Sequence, residues 1–446
     1  MSDIKTITIV GAGLMVKPMV DYFIEKKAYR IFLLDQYVEK AIDIKANRPE
    51  CTALEWRNND TEQLGAVIKK SDIVISMVPK AIHVIIAKSC LKYKKNMVTA
   101  SYEVPALMEL KNEVDKQGIL ILSELGEVPG MDHFGTQMLL DQIKEDKGRV
   151  LSINSYGSGI PSFESNNNPM GYKFNWRPAT VFIAAQTAAA YFKEGKKIFI
   201  PGDKLFENFW YVEIDNLGIF ETYANKDVEK YIEPFGLDRN ISFYRGLLRY
   251  SGYCNNMRYM KELGLFDNEK IDSFNNKTFL QFTSSLVNGR SEENIEKNVA
   301  DHIGLDINSD FLHRIKWLGL FDKEPIPFDK GTNLDVLLHR MLEKMVYAPG
   351  EKDMIILHIE IIAEFEGGLI EKRIATMNVK GDPDGESAMS RAVALPTAIS
   401  SRLIVDGKIK AKGLRMPPNL PELYKLALEE LKEFGYEFST KSFKLN

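Results

Sequence analysis

Gly11-Ala12-Gly13 follows directly on the apolar run Ile7–Val10. A strand that ends in two glycines can turn tightly into a helix whose first N–H groups face a pyrophosphate. Gly11 permits the turn, and Gly13 lets the backbone approach phosphate. Leu14 and Met15 open the helix beside them. The small residue that usually comes third in this pattern is replaced by Val16, followed by Lys17 and Pro18. A bulkier Val16 predicts a helix that sits farther out or is turned. Asp35 ends the second apolar run, 24 residues after Gly11. A carboxylate at that spacing accepts the ribose hydroxyls and repels a 2′-phosphate, which predicts NAD rather than NADP. The alternative is that Asp35 only caps the next helix.

Other groups with chemistry fall on the same sheet edge. Val78 and Pro79 follow the fourth strand, Ser101 and Tyr102 the fifth, and Glu124 to Gly130 the sixth. Open α/β sheets bind ligands at that edge. His133 comes just after the Pro129-Gly130 turn and has the ordinary pKa of about 6.5 that suits proton transfer. Asp132 beside it is a good N-cap for the apolar helix Phe134–Ile143, in which the histidine only packs.

The elements that must position these groups alternate through the first 125 residues. Apolar strands at Ile7–Val10, Arg30–Asp35, Leu54–Trp56, Asp72–Val78, Asn96–Ala100 and Gly118–Glu124 are separated by helical patterns. The first helix is predicted over Leu14–Lys27. Continuous apolar strands between helices imply a parallel sheet covered on both faces, the Rossmann-type arrangement. After Gly126 the pattern changes. Leu151–Gly157, Lys197–Ile200, Trp210–Ile214 and Met354–Phe365 read as strands of a mostly antiparallel α+β domain. The stretch 249–345 is helical, rich in Leu, Lys and Glu. The predicted layout is 1–126 with about 390–446 for the dinucleotide, 127–248 with about 346–389 for the substrate, and 249–345 as a helical insertion.

The chain has 446 residues, enough for two or three domains at roughly 100–200 residues each. Its 58 basic and 62 acidic residues leave a net charge of −4, so charge gives no reason to expect nucleic acid or an anionic membrane as partner. No apolar run approaches the roughly 20 residues that span a bilayer, and no secretory signal pattern opens the chain. Cys51, Cys90 and Cys254 are too scattered for a disulfide framework or a metal site, so a reduced cytoplasmic setting is expected.

Several blocks together resemble the saccharopine dehydrogenase family, the glutamate-forming type. They are GAGLMVKP (11–18), DIVISMVP (72–79), VTASYEVPAL (98–107), PGMDH (129–133), NPMGYKFNW (168–176), RGLLRYSGY (245–253) and SAMSRAVALPTAISSRLIVDGKIKAKGL (387–414). The resemblance implies a homodimer with a combined catalytic and dimerisation domain. The implied reaction oxidises the secondary amine of saccharopine with a nicotinamide cofactor, giving glutamate and aminoadipate semialdehyde. Such a substrate carries several carboxylates. Arg245 is the first candidate clamp, since guanidinium pairs bidentately with carboxylate. Arg249, four residues on, shares its face if the segment is a helix. Ser101, Tyr102 and Tyr172 are expected at the substrate, with Asn168 and Trp176 in the same middle loop. Lys173 is a second cation or proton carrier; otherwise it ties its loop to an acidic neighbour.

The chain departs from the family pattern twice. The family has Asp where this chain has Val128, and Glu127 is the nearest replacement. It often has Cys where this chain has Gly157. The alternatives are lysine 6-dehydrogenase or carboxynorspermidine-type chemistry on the same fold, or NAD binding without turnover.

Overall fold

The computed structural model describes residues 4–175, 178–184, 186–287 and 292–445. Six strands open the chain: β1 Lys5–Val10, β2 Tyr29–Asp35, β3 Cys51–Glu55, β4 Ile73–Ser76, β5 Asn96–Val98 and β6 Leu120–Leu122. They pair in parallel in the spatial order β6-β5-β4-β1-β2-β3. The order of the strands reverses between β1 and β4, which is the switch point where such sheets open a crevice. The apolar runs are continuous because both faces are covered. Ile7 and Ile9 of β1 enter one core, and Val10 enters the core on the other side. A fully buried side chain of this size contributes about 2 kcal/mol.

The later strands are β7 Arg149–Pro161, β8 Ala189–Lys193, β9 Lys196–Ile200, β10 Phe209–Ile214, β11 Gly218–Ala224, β12 Ser242–Arg249, β13 Asp272–Ser273, β14 Lys330–Gly331, β15 Asp353–Glu364, β16 Ile370–Lys380, β17 Gly413–Arg415 and β18 Ser439–Lys444. A nine-stranded sheet runs β10-β11-β12-β7-β15-β16-β18, with β8 and β9 joined beside β12. It is mixed: β12 lies parallel to β7, while β15 runs antiparallel to it. One face of β15, with Ile355, Leu357, Ile359 and Ile361, packs towards the nucleotide side. Met354 and Ile356 face the core shared with the insertion.

The C-terminal segment bridges both sheets. Helix Ala388–Val405 packs on helix Lys17–Glu25. Strand β17 then extends the first sheet beside β6, but β18 crosses over and pairs with β16. Residues 249–345 are mainly helical, interrupted by a two-residue pairing of β13 with β14.

Two expected helices change on inspection of their ends. The first begins at Lys17 rather than Leu14. The Arg245–Arg249 segment is a strand rather than a helix. Its two arginines still share a face, because a spacing of four is a multiple of the strand period of two.

Candidate active site

The nucleotide loop is built around one glycine that nothing else replaces. Gly11 has φ +104°, and a Cβ there would stand 2.4 Å from the Met77 carbonyl oxygen. The β1 end thus passes directly over the β4 end. Nothing lies within 4 Å of a Cβ built on Gly13, so that side of the loop is open. Leu14, 74% exposed, follows it, and its carbonyl accepts the Ser390 hydroxyl at 2.9 Å. Met15 is half-buried beside it.

Val16 does not push the helix outward. It is buried in the core, while a turn from Gly13 delays the helix to Lys17. Lys17 is held by Asp21 and Glu386 at 3.1 and 2.7 Å. This close backbone approach with an open outer side fits a dinucleotide, which Gly13, Leu14, Met15, Val78 and Pro79 would hold. Gly11→Ala is expected to cost about 1–3 kcal/mol for the positive φ alone. The clash with a backbone oxygen adds to it and weakens cofactor affinity, measured by fluorescence titration with the reduced nicotinamide nucleotide.

Asp35 does more than wait for a ribose. Its Oδ2 accepts the Ala12 N–H at 2.7 Å and its Oδ1 the Tyr37 N–H at 2.9 Å. The carboxylate ties the glycine loop to the end of β2, and two amide dipoles partly compensate its charge. Its power to repel a phosphate is correspondingly reduced, which weakens the physical basis for expecting NAD.

The loop after β6 forms a buried polar knot. Glu124 (φ +66°) accepts hydrogen bonds from the Tyr231 hydroxyl at 2.9 Å, the Glu103 N–H at 3.2 Å and the Lys230 ammonium; His133 Nε2 lies 3.0 Å from its Oε2. Burial alone would raise this carboxyl. The bonds from His133 and Lys230 outweigh it and hold Glu124 well below the usual carboxylate range. His133 Nδ1 lies 4.0 Å from Asp132, so both ring nitrogens face carboxylates of their own chain. The expected proton-transfer role for His133 therefore has no open nitrogen behind it. Asp132 is not the N-cap either. Gly130 holds that position, and Asp132 Oδ1 accepts its N–H at 2.7 Å.

Arg245 is spent within the protein. Only 2% exposed, it donates from Nε to Asp132 Oδ2 at 2.7 Å, with Nη2 2.6 Å from the same oxygen. Its Nη1 donates to the Tyr102 hydroxyl at 2.9 Å. The expected first clamp is a buried ion pair that acts through Tyr102. That hydroxyl also accepts from Asn225 at 3.0 Å, so with two donors pointing in, its own proton is turned outward. Ser101 adjoins it, with its N–H donating to Thr99 Oγ1 at 3.2 Å.

Arg249 differs. It is also buried, yet no acidic side chain pairs with it among the described residues. The rings of Tyr172, Tyr223 and Tyr253 surround its guanidinium, with centroids at 5.5, 5.7 and 5.2 Å. Nη1 donates to the Leu248 carbonyl at 2.7 Å, and buried Nε has no partner. A buried cation among aromatic faces, with no acidic partner among the described residues, is poised for an anion.

Lys173, although buried, is bound to Glu351 and faces Tyr347. It anchors its loop rather than carrying protons. Asn168 shapes the same loop, donating to the Tyr172 carbonyl at 3.0 Å and accepting the Met170 N–H at 2.9 Å. Trp176 lies outside the described residues.

Glu127 is 6% exposed, and its Oε1 has no partner. Burial, then the charge of Asp132, pushes its carboxyl up to about 8, against the pull of Arg245 and Arg249. Val128 and Gly157 touch: a Cβ on Gly157 would meet Val128 Cγ2 at 2.4 Å. The two departures from the family pattern are thus one packing event.

Lys226 and Lys230 carry no sequence signal of their own. The Lys230 ammonium lies 5.0 Å from the Tyr102 ring centroid, and Lys80 lies 5.8 Å from it. Burial, with Lys80 and Lys230 nearby, pulls the Lys226 ammonium down to about 8. Lys80, Lys226 and Lys230 thus gather around Tyr102 at the edge of the nucleotide sheet. Such a cluster suits a substrate with more than one carboxylate.

Residues 126–436 match the family model of the saccharopine dehydrogenase C-terminal domain, and residues 7–122 match that of the saccharopine dehydrogenase NADP binding domain. Mitochondrial alpha-aminoadipic semialdehyde synthase of Rattus norvegicus is 32% identical over 99% of this chain, but over only 48% of its own length. The chain thus spans about half the length of that relative. The NADP(+)-dependent, L-glutamate-forming saccharopine dehydrogenase of Pyricularia oryzae is 29% identical, with 98% of this chain and 99% of the relative covered. The solved structure of apo saccharopine dehydrogenase (L-Glu forming) from Saccharomyces cerevisiae superposes with a TM-score of 0.87 at 28% identity, covering 98% of this chain and 100% of that one. The expectation of NAD runs against these findings, since the matched nucleotide domain is an NADP-binding one. With the two domain models adjoining along nearly the whole length, the chain belongs to the saccharopine dehydrogenase family.

Proposed function

We propose that the protein oxidises the secondary amine of saccharopine to glutamate and aminoadipate semialdehyde, or runs the reverse condensation, with NADP. Arg249 carries this reading: its guanidinium is buried among Tyr172, Tyr223 and Tyr253 and has no acidic partner among the described residues. Family membership supports it. When bound, the nicotinamide supplies a hydride acceptor. The chain's own residues bind and orient. Arg249 takes one substrate carboxylate, and Lys226, without an acidic partner among the described residues, takes another. The outward Tyr102 proton hydrogen-bonds the substrate, with Ser101 and Tyr172 beside it. A lysine-type amine with a single carboxylate would leave one of these cations idle.

For the cofactor, Lys40 favours the phosphorylated form. Its ammonium lies 4.9 Å from the Tyr37 ring centroid, just past Asp35, and would pair with a 2′-phosphate bound there. A charge-assisted contact there is worth about 1.5–3 kcal/mol, so NADP is expected to outperform NAD by about tenfold or more in kcat/KM. Lys40→Gln narrows the gap, read as a loss of NADP affinity in fluorescence titration.

Residues 1–126 with about 390–446 serve the nucleotide, 127–248 with about 346–389 the substrate, and 249–345 form the insertion. The protein works as a homodimer in the reducing cytoplasm, where buried Cys51, Cys90 and Cys254 stay free. Sedimentation of the purified protein checks the dimer. The test of function is direct: saccharopine with NADP or NAD, followed by the absorbance of the reduced nicotinamide. No turnover with either cofactor at alkaline pH overturns the reading.

A further inference from the structure

We propose that Glu127 is the group that takes the proton from the substrate amine, and that the contact between Val128 and Gly157 aims it into the cleft. The inference rests on the function proposed above and names the proton acceptor that function requires.

The geometry comes first. Gly157 lies on β7 opposite Leu247 of β12, between the register positions that flank Arg245 and Arg249. Side chains at 155, 157 and 159 of β7 share the face that carries those arginines, and at 157 and 159 the side chain is missing. The gap at 157 is filled from above by the loop after β6. A Cβ on Gly157 would meet Val128 Cγ2 at 2.4 Å, Leu357 Cδ2 at 3.1 Å and Glu127 Oε1 at 3.4 Å. A side chain at 157 would thus collide with Val128 and only touch Glu127, so it would act on Glu127 through its neighbour Val128. Its Oε1 is buried and has no hydrogen-bond partner. A buried polar atom left unpaired costs about 1–3 kcal/mol, which a substrate N–H would recover.

The surroundings suit proton exchange at neutral to alkaline pH. Asp132 from the following helix and Arg245 and Arg249 from β12 are the charged groups that face Glu127, with Tyr436 from the C-terminal segment nearby. The negative neighbour and burial favour the neutral acid, and the two cations restrain that shift. The carboxyl rests near 8 as a result. A group with that value exchanges protons readily with an amine.

The chemistry balances. The substrate ammonium N–H bond breaks, and its proton forms an O–H bond on the Glu127 carboxylate. With its lone pair freed, the nitrogen is ready to form the C=N bond, for which a bound oxidised nicotinamide would supply the hydride acceptor. Hydrolysis then adds water to the carbon of that bond, both water protons pass to nitrogen, and the C–N bond breaks to release the ammonium of glutamate and the aldehyde. Running backwards, Glu127 in its acid form returns the proton to nitrogen.

Three measurements test this. Wild-type kcat/KM for saccharopine is expected to rise with pH through about 8. In Glu127→Gln, kcat is expected to fall by about 100-fold or more, within the usual range for losing a general base. The pH limb disappears while KM stays within about threefold. A limb that persists in Glu127→Gln overturns the proposal. Gly157→Ala should lose activity by displacing Val128 and Glu127, and adding Val128→Ala should restore part of it. An unimpaired Gly157→Ala variant overturns the aiming role. Infrared difference spectra without substrate decide the matter independently of turnover. A protonated-carboxyl band that titrates near 8 and vanishes in Glu127→Gln supports the assignment, and its absence from the wild type overturns it. Failure of the wild type to oxidise saccharopine, by contrast, strikes the functional reading itself.

Discussion

Arg249→Met is expected to raise the KM for saccharopine about 10- to 100-fold, because a hydrogen bond to a charged group is worth about 1.5–3 kcal/mol. Stability should barely change. No salt bridge is broken by the substitution, since no acidic side chain pairs with Arg249 among the described residues; Glu127 loses one of the two cations that restrain its carboxyl. Methionine fills a similar volume among Tyr172, Tyr223 and Tyr253, and its thioether packs well on aromatic edges. Removing a buried cation without a partner also removes its desolvation cost. Michaelis kinetics and a thermal melt on the same preparation separate the two quantities. An unchanged KM would remove Arg249 from the substrate.

Arg245→Met is expected to behave in the opposite way, losing about 3–5 kcal/mol of stability. The cost arises at Asp132, only 2% exposed, which would lose its guanidinium partner and retain the Gly130 N–H and the His133 ring at 4.0 Å. The Tyr102 hydroxyl would also lose one of its two donors. Urea unfolding measures the loss. Adding Asp132→Asn should recover more than half of it, because the amide oxygen still accepts from Gly130 and no charge remains buried. Equal losses in the single and double variants would show that the ion pair is not the source. Activity falls in both, since Arg245 holds Tyr102.

These two arginines are four residues apart on one strand face, and the sequence treats them alike. Their difference comes from Asp132, 113 positions away from Arg245. Lys173 makes the same point. Its type and loop suggested a proton carrier, and Glu351, 178 positions on, occupies it. His133 has the right type and lies at the sheet edge, yet Glu124 and Asp132 enclose its ring. A motif fixes residue types, whereas the free valence of each side chain depends on distant partners.

The strands that escaped sequence reading share a cause. β16 carries charged and polar residues at its partly exposed positions, and every residue of the edge strand β18 is exposed. Strand β12 carries two arginines that a soluble strand would normally expose. Their hydrophobic periodicity is weak even though their backbone pairing is complete.

By itself, the sequence determined the parallel nucleotide sheet, the glycine turn over β4, the helical insertion and the family. Each of these rests on local signals: apolar runs of strand length, a residue that must take a positive φ, and contiguous motifs. Only the tertiary structure decided which cations remain free for a substrate, that Asp35 is tied to Ala12 and Tyr37, and that Val128 and Gly157 answer one another. Those outcomes depend on burial and on pairing between residues far apart in the chain. Electrostatic fit and packing are properties of neighbours in space.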